Sequence, residues 1–139
     1  MTNCNFYQPI DVRYGDLDPQ GHVNNAKFIT YFEHARFHYW RHLSIIQAGN
    51  SFLGNGVILA DLQITFLAPI LWENKIKVGM RATHLGNKSM AFHQCIVDQN
   101  GVKEYATGRV VVVAYDYDQG ISIPIPEEWR RIISTFEGL

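Results

Sequence analysis

The sequence predicts an α+β domain in which one long helix lies against an antiparallel sheet. Three observations carry that prediction. A helical period runs from Asn25 to about Gln47, a period of two begins after Gly56 and recurs through the rest of the chain, and Asn100-Gly101 is a strong hairpin signal inside that second region.

The helix comes first. At about 100° per residue, Phe28, Tyr31, Phe32, Ala35, Tyr39, Leu43 and Ile46 share one arc, with Lys27, Glu33 and Arg41 elsewhere. Asn24 is placed to cap it, and Gly49-Asn50 with Gly54-Asn55-Gly56 supplies a stop and a loop. In the next segment Ile58, Ala60, Leu62, Ile64 and Phe66 alternate with Asp61, Gln63 and Thr65 until Pro69 ends the run. Alternation returns in Lys75 to Thr83, Met90 to Val97 and Tyr105 to Tyr115, which makes four strands. Leu85-Gly86-Asn87-Lys88 and Asn100-Gly101 join them as antiparallel neighbours. Asn5 to Tyr14 adds a strand before the helix, giving a sheet of about five strands. Pro126 and the acids Glu127 and Glu128 open a short C-terminal helix. Such a sheet has open edges, so pairing into a homodimer or homotetramer is expected.

Composition limits what the domain does. Its 139 residues, 47% apolar, suit a single domain spanning 1–139 with one core. Twelve basic against thirteen acidic residues leave a net charge of −1, which gives no broad attraction to nucleic acid or to an anionic membrane. Cys4 and Cys95 are far apart and suggest neither a disulfide framework nor a zinc ribbon. The N-terminus has no signal-peptide pattern, and no apolar run approaches the ~18 residues of a membrane span. A soluble, unprocessed cytoplasmic protein is expected, with no cofactor and no metal.

The functional signal is the segment Arg13 to Asn25. It sets Asp18 one tight turn before a helix start, where free backbone N–H groups and a partial positive charge polarise a carbonyl while a carboxylate does chemistry on it. Taken alone, Asp18-Pro19-Gln20-Gly21 is ordinary turn chemistry. His22-Val23-Asn24-Asn25 directly before the helix raises the catalytic reading above it. Asp16 reads as a turn or supporting carboxylate, and His22 as orienting the Asp18 loop or bonding to backbone. Asn24 reads as a cap first and a substrate contact second. Tyr31 belongs to the core arc, with a hydroxyl that can reach a substrate pocket.

Asp16-x-Asp18-x-x-Gly21-His22-Val23-Asn24-Asn25, the aromatic helix beginning Ala26-Lys27-Phe28-Ile29-Thr30-Tyr31-Phe32-Glu33, Ala68-Pro69 at a strand end, and Ala106-Thr107-Gly108 before a valine run together resemble the hotdog-fold acyl-CoA thioesterases of the 4-hydroxybenzoyl-CoA thioesterase type. The resemblance covers nearly the whole chain and implies a hotdog fold, a long central helix wrapped by the sheet. It implies an acyl-CoA substrate, Asp18 as nucleophile or general base, and the Asn25 N–H on the thioester oxygen. Relatives often carry Tyr or His where Asn25 stands; the backbone role survives that departure, since every non-proline residue has an N–H. His-Val-Asn-Asn also resembles acyl-ACP thioesterases, so acyl-ACP is the alternative carrier. Hotdog dehydratases or hydratases, which pair Asp with a nearby His, and a non-catalytic acyl-thioester binding module are the other readings. No G-x-S-x-G elbow is present for a serine route.

Lys88 and Ser89 are candidates for contacting the phosphates or pantetheine of CoA, with Arg81 and Arg109 weaker ones. His34, His38 and His42 form a stripe, but the first and third lie about 12 Å apart along the axis and cannot share one tetrahedral ion. Phe37 and Trp40 fall on the far side of the helix and are expected to be covered by the C-terminal helix or another subunit.

Overall fold

A computed structural model describes residues 3–46 and 54–139. In chain order these form β1 (Phe6–Ile10), a 3₁₀ turn (Tyr14–Asp16), α1 (Asn25–His42), β2 (Asn55–Phe66), β3 (Ile76–Leu85), β4 (Ser89–Asp98), β5 (Glu104–Asp116), β6 (Ile121–Ser122) and α2 (Glu127–Glu137). The sheet is antiparallel throughout and runs β1-β3-β4-β5-β2, with β6 adding a short pairing to the far end of β5. Among the described residues it has six strands; the sequence pattern shows five, because β6 is too short to display a period.

The helix starts where expected and stops sooner. Asn24 caps it through a side-chain bond from the Ala26 N–H at 2.9 Å. It closes at His42, and Ser44 enters the left-handed region at φ 60°. The Gly49-Asn50 stop lies outside the described residues. β1 is also shorter than its pattern, since Tyr14 already belongs to the 3₁₀ turn. Pro126 sits at the cap of α2, one residue before its first turn.

Phe28, Phe32, Ala35 and Tyr39 bury the inner face of α1 against the sheet. Gly108 allows this approach: a Cβ there would stand 2.6 Å from Phe32 Cε2 and 2.7 Å from the Gln63 carbonyl oxygen. Trp40 is 2% exposed and packs edge-on against Phe92, so the expected outer-face aromatic is in fact core. Only its neighbour Phe37 is exposed. α2 is pinned by Glu137, whose Oε2 accepts from Tyr39 Oη and from the Ala82 N–H, both at 2.7 Å.

β2 is one edge of the sheet and β1 the other. β2 is 12 residues long and presents Ile58, Leu59 and Phe66, each more than 40% exposed. α1 packs toward β1 and β3, which leaves an open seam between α1 and β2. Among the described residues, no helix is long and apolar enough to cross a membrane.

Candidate active site

The loop before α1 is built so that one carboxylate is held still beside the helix start. Leu17 pairs with Val23, and the Asp18 N–H donates to the His22 carbonyl at 2.7 Å. The Gly21 N–H donates back to the Asp18 carbonyl at 2.9 Å. Gly21 has φ 82°, a conformation that favours glycine. The loop is also stitched to the segment after β2: the Val23 N–H donates to the Ile70 carbonyl at 2.8 Å, and His22 bridges to Leu71.

Within this turn Asp18 uses only one carboxylate oxygen. Its Oδ1 accepts from the N–H groups of Gln20 at 3.0 Å and His22 at 3.2 Å. Oδ2 has no donor among the described residues. Asp18, His22, Asn25, Phe28 and Phe66 line a pocket of about 310 Å³. One wall is apolar, where Phe28 and Phe66 meet edge-on with centroids 5.1 Å apart.

The helix start faces the same pocket. The Ala26 N–H is taken by Asn24 Oδ1 and the Lys27 N–H by the Asn24 carbonyl, at 2.9 and 2.8 Å. The Asn25 N–H has no acceptor among the described residues. An unoccupied donor at the positive end of an 18-residue helix, sharing a pocket with a carboxylate oxygen that lacks a donor, can hold a carbonyl oxygen while the carboxylate attacks or activates water.

The other sequence candidates divide. His22 lines the pocket, and its backbone rather than its ring closes the turn. Asn24 is a cap. Tyr31 lies on the opposite flank of α1, where its hydroxyl donates to Asp16 Oδ2 at 2.7 Å. Burial and that bond hold the phenol proton above the ordinary tyrosine range. Asp16 is buried, also accepts from the Arg13 N–H at 3.1 Å, and pairs with Lys27 at 3.8 Å, which fits a supporting carboxylate. Lys88 and Ser89 are far from Asp18 within the chain. Phe66 of the pocket pairs with Ala106 and Ser89 with Val113, seven residues further along β5, or roughly 24 Å. Arg81 and Arg109 flank His93 on the outer face of the sheet. The His34 and His38 rings lie 4.5 Å apart, tilted by 49°, while His42 packs on Phe6 and Phe136. No group of three potential metal ligands forms among the described residues.

The model of the thioesterase-like superfamily matches residues 12–133. The chain belongs to that superfamily. A thioesterase from Thermus thermophilus, solved with coenzyme A and zinc, is 33% identical over all of this chain and 99% of its own, with a TM-score of 0.83. The acyl-CoA thioester hydrolase YbgC of Escherichia coli O157:H7 is 25% identical over 81% of this chain and 85% of its own length. A thioesterase-superfamily structure from Jannaschia sp. CCS1, 24% identical with a TM-score of 0.87, shares the fold over 97% of this chain and 96% of its own. The hotdog fold and thioester hydrolysis, implied by the resemblance of Asp16 to Asn25, therefore agree with the family found.

The sequence pattern did not reveal the pocket's apolar wall. Phe66 reads only as the end of a strand, and its pairing with Phe28 needs the helix and edge strand in register.

Proposed function

We propose that this thioesterase hydrolyses acyl-CoA to the free acid and CoA, with Asp18 as nucleophile or general base and the Asn25 N–H as the donor to the thioester oxygen. The observation that carries the reading is the shared pocket, lined by an Asp18 whose Oδ2 has no donor and a helix-start N–H that has no acceptor among the described residues. Both routes need the carboxylate ionised. The Gln20 and His22 N–H groups occupy Oδ1 and leave Oδ2 as the reacting atom. His22 supports the turn, Asn24 shapes the first helical turn, and Tyr31 acts indirectly by fixing Asp16 and the loop between them. The CoA bound to the Thermus relative and the name of YbgC favour CoA over ACP as carrier.

The exposed β2 edge supports a homodimer. Antiparallel pairing of β2 with the β2 of a second copy reverses the sheet end to end, which brings the second copy's Lys88-Ser89 turn toward the Asp18 end. On this basis Lys88 and Ser89 are assigned to the CoA phosphates across the dimer. A homotetramer would stack two such dimers.

The test is a hydrolysis screen over acyl-CoAs and acyl-ACPs, with release of free thiol as the readout and conversion between hydroxyacyl and enoyl thioesters measured alongside. Thiol release that is faster from CoA than from ACP is expected. Hydration or dehydration without thiol release would establish the hydratase reading. Binding without either reaction would establish the binding module.

A further inference from the structure

Arg36 is a charge where the packing of α1 calls for an apolar residue. It stands one turn after Phe32 and one before Trp40, both buried, and is itself only 6% exposed. Its Nη1 donates to Gln94 Oε1 at 3.2 Å. Gln94 is fully buried, and its Nε2 donates to the Phe32 carbonyl at 3.0 Å, so both ends of the amide are engaged. A guanidinium carries five N–H donors. Among the described residues Arg36 has no further acceptor and no carboxylate in ion-pair contact. Burial weakens its hold on its proton, and the charge of Glu33 partly offsets that. The donors left over open onto a groove, where water or an acceptor from outside the chain meets them.

Arg36 lines a groove of about 560 Å³ in the seam between α1 and β2, with Phe37 and Trp40 on one side and Leu59 and Val112 on the other. The Asp18 pocket lies at the other end of this seam, where Phe28 meets Phe66. Ile29, Leu62 and Ile64 fall between the two along α1 and β2, and Thr30, Glu33 and His34 line the groove beside Arg36. Gln94 and Ile64 both pair with Gly108, which puts the Arg36 partner one pleat, roughly 7 Å, along the strands from Phe66 and two strands, roughly 10 Å, across the sheet.

We infer that Arg36, held in place by Gln94, selects the acyl group by receiving an oxygen acceptor, a carboxylate above all, at the distal end of a medium-length acyl chain. This rests on the reading of Asp18 and Asn25 as the reacting centre. Arg36 follows Asn25 by eleven residues, about 16 Å of helix, and an arginine side chain leans back toward the N-terminus. A span of roughly 10 Å is left, which about eight carbons fill in extended form. Gln94 holds the guanidinium through its Oε1 while its Nε2 is turned to the Phe32 carbonyl. An acceptor there meets a charged donor in the groove, and a methyl-terminated chain of equal length leaves that donor unanswered.

The experiment compares octanoyl-CoA with the CoA monothioester of octanedioic acid, and with ω-hydroxyoctanoyl-CoA as a neutral acceptor. The same matched comparison is repeated at lengths from about six to about twelve carbons. The ratio of kcat/KM for the ω-carboxyl over the methyl-terminated chain is expected to reach at least about tenfold at its best length. Arg36→Met is expected to bring that ratio to within about threefold of one, and Arg36→Lys to keep part of it. A wild-type ratio near or below one at every length overturns the inference whatever the variants do, and so does a ratio unchanged in Arg36→Met. Calorimetric binding of the same pairs to Asp18→Asn separates the two readings. Preferential binding with no hydrolysis by wild type leaves the Arg36 site standing and removes the hydrolase reading; hydrolysis with no preference does the reverse.

Discussion

Replacing Asn25 with proline removes one N–H and little else. The residue before a proline is restricted to extended backbone, and Asn24 already sits at φ −59° and ψ 139°. Proline is also well tolerated at the first helical position, where the N–H has no helical partner. The Asn25 N–H donates to nothing among the described residues, and its side chain is exposed, so folding loses no hydrogen bond and little packing. A stability change within about 1 kcal/mol is expected. Turnover is another matter, because the same N–H is assigned to the developing oxyanion. Loss of one such donor costs about 10²–10³ in rate, or roughly 3–4 kcal/mol of barrier. Asn25→Ala keeps the N–H and should stay within about threefold of wild type in kcat. The assay is thiol release from the best acyl-CoA, with thermal unfolding run on each variant. A proline variant that melts normally and turns over within about threefold of wild type would remove the helix-start donor from the mechanism.

Other parts of the account make separate predictions. Gly108→Ala forces a Cβ into Phe32 and the Gln63 carbonyl, and should lower stability by about 1–3 kcal/mol, read as a drop of roughly 4–12 °C in Tm. Glu137→Ala leaves the Tyr39 hydroxyl and the Ala82 N–H without their shared acceptor, and a loss of about 2–4 kcal/mol in denaturant unfolding is expected, larger than that of Tyr39→Phe. Asp16→Asn should lower Tm, because its carboxylate ties Tyr31 and the Arg13 N–H, yet keep kcat within about tenfold. Light scattering should find at least two of the 15.9 kDa chains together, and Leu59→Lys on the exposed edge should weaken that association; a wild-type monomer at micromolar concentration would contradict the assignment of Lys88 and Ser89 across a dimer.

Much of the fold is legible in local patterns because the elements are long and amphipathic. The arc from Phe28 to Tyr39, the cap at Asn24 and the alternation of β2 to β5 are one-dimensional signals of burial on one face. What was not legible depends on the third dimension. Trp40 reads as an outer-face aromatic by angle alone, yet the sheet extends far enough beneath α1 for Phe92 to cover it. Tyr31 shares the core arc with Phe28, but its hydroxyl goes to Asp16 on the flank away from Asp18, a choice that depends on where the preceding loop crosses. Lys88 and Ser89 stand out only as a basic and polar turn, and it takes the register of β4 on β5 to show that they lie roughly 24 Å from the Asp18 end of the same chain. Arg36 had a visible signal, a charge spaced by four from Phe32 and from Trp40, but its meaning required knowing that Gln94 lies opposite. The Asp18 turn was readable because its residue types are dictated by backbone geometry: Gly21 for a left-handed φ, Asp18 for the two N–H groups it accepts, and Asn24 for the cap.

The measurement that bears most directly on the central claim is the kcat of Asp18→Asn on the preferred acyl-CoA, with binding of the same thioester measured alongside. The amide retains the Oδ1 acceptor for the Gln20 and His22 N–H groups, so the turn and the thioester affinity should be nearly unchanged. It lacks the negative charge that both attack and water activation require, so kcat should fall by at least about 10². A variant that binds normally and still hydrolyses within about threefold of wild type would show that Asp18 only shapes the turn, and that the reacting group lies elsewhere.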